Sequence, residues 1–109
     1  MPLDPNIILN VISALLGPQG CPWDREQSPV SLCDYLIEEA FELVEAIRLH
    51  DLDEVQEEMG DVFFLLFFIA TLYENTSELS LEQAWKQNAH KMTARHPHVF
   101  ENTVLADRD

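Results

Sequence analysis

Basic residues and glycine are scarce in this chain. Its 109 residues include 6 Lys and Arg against 20 Asp and Glu, and only 3 Gly. The formal net charge of −14 repels nucleic acid and anionic membranes, so neither is expected as a partner unless a cation intervenes. Few glycines, with 6 prolines mostly between periodic segments, favour long helices over many short strands. The sequence also has no glycine-rich phosphate loop.

Cysteines are few and long apolar runs are missing. Cys21 and Cys33 show no C-x-x-C spacing and no second pair, which argues against a disulfide framework or a zinc site. The first ten residues lack the basic region of a signal peptide, and these two features together predict a reduced, cytoplasmic protein. The most apolar run, VFFLLFFIA at 62–70, is about half of the ~20 residues that cross a bilayer, so it predicts a buried helix.

The length and the 47% of hydrophobic residues predict one domain over residues 1–109 with a core of its own. Cap signals and apolar periodicity predict an all-α bundle of four helices. The predicted helices run from an Asp4 cap and Pro5 to about residue 16, from Ser28 to about 49, from an Asp53 cap to about 75, and from a Ser80 capping box to just before Pro97. Residues 17–27 are predicted as a loop, and residues 96–109 show no clear period.

The third predicted helix is apolar on all sides over residues 62–70. Such a helix must be covered on every face, and four helices of this length provide little cover. We therefore expect self-association into a homo-oligomer, at least a dimer.

Acidic residues cluster on the second and third predicted helices. Glu39 and Glu42 share one helix face, as do Glu58 and Asp61, because residues three or four apart are neighbours on a helix. The short connection at 50–53 predicts an antiparallel hairpin, in which position 39 lies opposite 61 and position 42 opposite 58. Four carboxylates at one level of the hairpin suit Mg²⁺ or Mn²⁺.

Other interpretations of this acidic stripe stay open. A solvated helix face usually interleaves Lys or Arg with its acids, whereas residues 34–61 contain eleven acids and one basic residue, Arg48. An acidic helical interaction module without metal is a further possibility. A di-iron bundle would need Glu-x-x-His on two helices, and no Glu here has a His three residues later.

Four segments in this order resemble the MazG family of nucleotide pyrophosphohydrolases: GCPWD at 20–24, LIEEAFELVEAI at 36–47, EEMGDVFF at 57–64 and ARHPHVF at 94–100. The resemblance extends from about residue 3 to residue 100. It implies an all-α fold that dimerises or assembles further, and Mg²⁺-dependent hydrolysis of nucleoside triphosphates to monophosphate and pyrophosphate. It also implies four metal ligands, which match the four chosen by the hairpin register: Glu39, Glu42, Glu58 and Asp61.

Longer members of that family contain two such halves in tandem, and this chain resembles the first. The alternative function is therefore a non-catalytic half that serves oligomerisation or nucleotide sensing. Mg²⁺-dependent release of pyrophosphate separates the two functions.

Further residues are candidates for substrate binding and catalysis. Asn88, Lys91 and Arg95 share one face of the fourth predicted helix, where they either clamp phosphate oxygens or simply place charge near a helix C-terminus. Trp23 either stacks on a nucleobase or closes the core beside the second helix, and the second role is slightly favoured. Glu38, next to a predicted ligand, is a candidate for positioning or deprotonating the attacking water.

Overall fold

The computed structural model describes residues 2–76 and 79–101, and every regular element in these ranges is a helix. In chain order they are α1 (Asn6–Leu16), α2 (Pro22–Arg25), α3 (Cys33–Arg48), α4 (Leu52–Asn75), α5 (Leu81–Ala94) and α6 (Pro97–Phe100). The all-α class is confirmed, and α3 and α4 form the most extensive helix pair, as the predicted hairpin requires. None of the helices in these ranges is long and apolar enough to cross a membrane.

The first turn and the loop that follows α1 are tightly built. The Asp4 carboxylate accepts a hydrogen bond from the Asn6 N–H at 3.0 Å, although the cap position itself belongs to Pro5. After α1 the chain folds back, and a Cβ on Gly20 would lie 2.0 Å from the carbonyl oxygen of Leu15. Only glycine fits this approach, and it allows the single turn α2 to form where the sequence predicted a loop.

The predicted start of the second long helix at Ser28 is wrong, because α3 begins at Cys33. The Ser28 N–H donates to Ser31 Oγ at 2.9 Å, and the Ser31 N–H donates to Ser28 Oγ at 3.1 Å. These local side-chain bonds hold residues 28–32 in turns and compete with helical hydrogen bonding.

The hairpin connection also differs from the prediction by its capping residue. Asp51, not Asp53, caps α4 and accepts a hydrogen bond from the Glu54 N–H at 3.2 Å. His50 takes a left-handed conformation at φ 56°, and the Asp51 N–H then bonds the Ala46 carbonyl at 3.1 Å. The predicted end of α4 at Asn75 is confirmed, as is the Ser80 cap of α5, whose Oγ accepts from the Gln83 N–H.

The core lies around the second half of α4. Its buried members come from three segments and are Ile12, Leu32, Phe67 and Phe68. Helix α1 packs on α4 from one side and α5 from another, where Trp85 contacts Phe67 at 6.1 Å between ring centroids. Helix α6 packs on α5, in a segment where the sequence showed no period. The first half of α4 carries the acidic residues and faces α3, since Glu54 and Glu58 line one groove with Glu42 and Glu45.

Candidate metal centre

Three carboxylates from α3 and α4 converge at one level of the hairpin. One ligand oxygen from each of Glu39, Glu58 and Asp61 lies within 4.8 Å of the others. Glu39 is half-buried, Glu58 is 8% exposed and Asp61 is exposed. Positions 39 and 61 are opposite each other, as the hairpin register predicts, because the connection at 49–51 is short.

Glu42, the fourth predicted ligand, is not part of this group. It lies one helical turn nearer the connection, where it lines a groove with Glu45, Glu54 and Glu58. Glu58 therefore belongs to the group of three carboxylates and also lines the groove. The groove carries no Lys or Arg among its lining residues, which include Asp51, Ala46 and Leu49.

The charge of the group is uncompensated. Oε1 of Glu58 is buried and has no hydrogen-bond partner. The pKa of Glu58 is raised to about 7, first by a hydrogen bond with Glu39, then by burial, and then by repulsion from Glu39, Asp61 and Glu57. The pKa of Glu54 is also raised, mainly by the negative charge of Glu57. Across residues 2–76 and 79–101 the one ion pair is Lys86–Glu82 at 3.2 Å, far along the chain from these acids.

This arrangement fits a hard divalent cation. Carboxylate oxygens are the donors that Mg²⁺ and Mn²⁺ prefer, and three of them already lie close enough to contact one ion. The unpartnered Oε1 of Glu58 is the strongest sign, since a buried carboxylate oxygen is costly without a proton, a donor or a cation. Glu39, Glu58 and Asp61 could thus hold the ion, and Glu42 is the nearest predicted ligand outside the group.

A cleft of about 250 Å³ opens beside the carboxylates. Trp23 and Tyr35 form one side, packed edge to face at 5.9 Å between centroids and 76° between ring planes. Apolar side chains form the rest of the lining, with Glu39, Asp61 and Asp24 as its polar members; the apolar residues are Leu32, Phe64, Leu65 and Phe68. Trp23 remains 52% exposed, so the slightly favoured expectation that it closes the core is wrong.

Tyr35 is a cleft residue that the sequence reasoning missed. It precedes Glu39 by four residues, so the two share a helix face, and that spacing was a usable signal. The cleft itself could not be read from spacing, because α2 brings Trp23 to Tyr35 only through the tight turn at Gly20.

The other candidate residues lie elsewhere. Glu38 is exposed on α3 and belongs neither to the carboxylate group nor to the cleft lining. Asn88, Lys91 and Arg95 are exposed at α5 and its C-cap, and none of them lines the cleft or the acidic groove. A single copy of the described chain therefore brings no Lys or Arg to either lining.

Comparisons with a family model and with known proteins identify the same family. A model of the MazG nucleotide pyrophosphohydrolase domain matches residues 27–100. The chain is 39% identical over 93 residues to the nucleoside triphosphate pyrophosphohydrolase/pyrophosphatase MazG of Thermotoga maritima, covering 85% of this chain and 36% of that protein. It is 32% identical over 97 residues to the nucleoside triphosphate pyrophosphohydrolase of Escherichia coli K12, covering 88% and 37%.

A further relative is the uncharacterized protein YabN of Bacillus subtilis, 40% identical over 100 residues, which are 92% of this chain and 20% of that protein. The chain thus spans between a fifth and just over a third of the length of these relatives. Among solved structures, a mazG-related protein from Thermotoga maritima superposes with a TM-score of 0.74 at 28% identity, covering 93% of this chain and 87% of that one.

Proposed function

The chain belongs to the MazG nucleotide pyrophosphohydrolase family, and from that premise we propose that it hydrolyses nucleoside triphosphates to monophosphate and pyrophosphate with bound Mg²⁺ or Mn²⁺. One observation carries the proposal: Glu39, Glu58 and Asp61 converge beside a cleft, and the buried Oε1 of Glu58 has no partner. We assign these three as metal ligands and propose Glu42 as the fourth, reached from the adjacent groove.

In the proposed reaction, the oxygen of a water molecule bonds to the α-phosphorus. The bond from that phosphorus to the oxygen bridging the β-phosphorus breaks, and pyrophosphate leaves with the electron pair. A bound divalent cation supplies neutralisation of the phosphate charge and a lower pKa for water. Glu38 is our candidate for accepting the proton of the attacking water because it precedes Glu39 in the sequence, although it lies outside the cleft lining of a single copy.

The aromatic side of the cleft offers a place for the nucleobase. Trp23 is half-exposed and lies at the cleft with Tyr35, while Glu39 and Asp61 border the same cleft. A base stacked on the indole ring would therefore leave the phosphates near the carboxylate group, where a cation would bridge charges of the same sign.

The triphosphate also needs positive charge that a single copy does not bring to the cleft. We propose that a second copy contributes it through Asn88, Lys91 and Arg95, which share a face at α5 and its C-cap. Exposed apolar stripes support this self-association. On α3 they are Ile37, Phe41 and Val44, and on α4 they are Met59, Phe63 and Leu66, each between 40% and 68% exposed.

We propose that the protein acts in the cytoplasm and binds neither nucleic acid nor membrane. The net charge of −14 supports the absence of anionic partners other than a metal-bound nucleotide. Cys21 and Cys33 are both free thiols, as expected in a reducing compartment.

Asp61→Asn tests the function most directly. Asn keeps the shape of the side chain but loses the charge that helps to hold the cation, so pyrophosphate release should fall by at least about a hundredfold. The helical circular dichroism should stay unchanged, because Asp61 is exposed and contributes nothing to the core.

Glu54→Gln is the matched control. It removes one charge from the same acidic side of α4, two turns before Asp61 and outside the carboxylate group. The metal interpretation requires the control to retain most of the activity. Equal and near-wild-type release in both variants would remove Asp61 from the mechanism, and absence of release from the unmodified chain with any nucleoside triphosphate would favour the non-catalytic alternative.

A further inference from the structure

Asp24 is a cleft residue to which the proposed reaction gives no role. It lines the same cleft as Trp23, Glu39 and Asp61, and it is partly buried. It is not a member of the group whose oxygens lie within 4.8 Å of one another, so it is not placed to share the ion with Glu39, Glu58 and Asp61. Among residues 2–76 and 79–101 its side chain has no hydrogen bond or ion pair, not even with the adjacent Arg25.

A purely local role explains Asp24 poorly. It lies in the first turn of α2, where a carboxylate usually interacts with the free N–H groups of a helix. Helix α2 has only four residues, and the Asp24 side chain accepts none of its N–H groups. The carboxylate therefore keeps its full capacity as a hydrogen-bond acceptor at the wall of an aromatic cleft.

The chemistry of a carboxylate determines which base it can bind. Both of its oxygens accept and neither donates. Guanine carries two N–H donors side by side, N1–H and the 2-amino group, which match the two oxygens. Adenine and cytosine place a ring nitrogen acceptor beside the amino group, and uracil has a single N–H between two carbonyl oxygens. In each of these bases, an acceptor atom would therefore face one of the two carboxylate oxygens, and the two would repel.

Resting on the proposed function, we propose that Asp24 reads the Watson–Crick edge of the base stacked on Trp23, so that the cleft selects guanine nucleotides. Trp23 and Tyr35 give the cleft an aromatic face that any base can use, and that face alone cannot distinguish them. Asp24 adds the one carboxylate that α2 brings to the cleft, and its hydrogen-bonding capacity is unused within the described residues. The cleft volume of about 250 Å³ has room for a purine.

The sharpest substrate pair is GTP and ITP, which differ only by the 2-amino group. With the full chain and Mg²⁺, kcat/KM should be roughly tenfold to a hundredfold higher for GTP, the range expected for one well-placed bidentate contact. Asp24→Asn replaces one acceptor oxygen with a donor NH₂, so the GTP preference should fall to about twofold or less. Glu26→Gln is the control, since Glu26 lies next to the same short helix but outside the cleft, and it should keep the wild-type ratio.

Loss of fold or of metal affinity would lower both rates without changing their ratio, so the GTP/ITP ratio isolates the contact to the base. Equal kcat/KM for GTP and ITP in the wild type, or an unchanged ratio in Asp24→Asn, would overturn the assignment while leaving the proposed hydrolysis intact. If the chain hydrolyses neither substrate, calorimetry with the α,β-methylene analogues of GTP and ITP in Mn²⁺ decides independently. Tighter binding of the guanine analogue, lost in Asp24→Asn, supports the assignment, and equal or undetectable binding of both analogues overturns it.

Discussion

The two halves of α4 place the same helix in opposite environments. Residues 62–75 carry the aromatic side chains of the core, where Phe68 is only 1% exposed in a cluster with Ile12 of α1 and Leu32 of the segment before α3. Residues 52–61 carry Glu54, Glu58 and Asp61, and there Glu58 is buried among like charges without a basic partner.

The contrast separates what folds the chain from what equips it to bind an ion. Apolar burial in the second half lowers the free energy of the folded state, while carboxylate repulsion in the first half raises it. A continuous helix of 24 residues couples the two halves mechanically, so the core can hold Glu58 and Asp61 in place despite their repulsion. Preorganisation of this kind is what a metal site needs from its scaffold.

The largest expected effect comes from opening the core. Phe68→Ala removes a fully enclosed aromatic ring and should lower the free energy of unfolding by about 3–5 kcal/mol. Chemical denaturation followed by circular dichroism measures it. A loss below about 1 kcal/mol would mean that the second half of α4 is not the centre of stability.

Phe41→Ala is the matched control for that variant. Phe41 is 62% exposed on α3, so its removal should cost the isolated chain less than about 1 kcal/mol. If the exposed stripe is covered by a second copy, sedimentation at micromolar concentration should instead show weaker association than in the wild type. An unchanged sedimentation profile of an oligomer would locate the interface away from α3.

Binding of a metal ion to the acidic half of α4 should raise the free energy of unfolding, by less than Phe68→Ala lowers it. An ion that binds only the folded state adds roughly 2.7 kcal/mol at a hundredfold excess over Kd. Thermal unfolding at pH 8 with EDTA and with excess Mg²⁺ or Mn²⁺ should therefore give clearly separated midpoints. Coincident midpoints would contradict the metal site.

The same experiment has a defined pH dependence. The pKa of Glu58 is raised from 4.5 to about 7 in the folded chain, so protonated Glu58 favours the folded state. In EDTA that contribution is fully present below pH 4.5 and is lost as pH rises through about 7. The gap between the EDTA and metal midpoints should consequently widen from pH 5 to pH 8. A gap that stays constant would mean that Glu58 does not exchange a proton for the ion.

Sequence spacing predicted the acidic site better than the cleft, for a physical reason. Glu39 and Asp61 are placed by helical periodicity and a short connection, both of which are local properties. The cleft depends on how α2 packs against Tyr35, which no local pattern encodes. The start of α3 was misplaced because Ser28 and Ser31 bond each other, and the α4 cap because Asp51 and Asp53 carry the same signal.

The smallest expected change in stability comes from a substitution in the connection between α3 and α4. His50 adopts φ 56°, a left-handed conformation that costs a residue with a Cβ about 1–2 kcal/mol, while glycine loses about 0.5–1 kcal/mol through its greater freedom in the unfolded chain. His50→Gly should therefore stabilise the protein by roughly 0.5–1 kcal/mol, since glycine is the preferred residue after a helix end of this type.

His50→Ala is the control. It keeps the strained conformation, so the midpoint of thermal unfolding should change very little. Because His50 is exposed and outside the carboxylate group, metal affinity should be the same in all three proteins. Equal destabilisation by both substitutions would instead show that the imidazole ring itself stabilises the hairpin, and a change in metal affinity would show that the connection sets the register of the carboxylates.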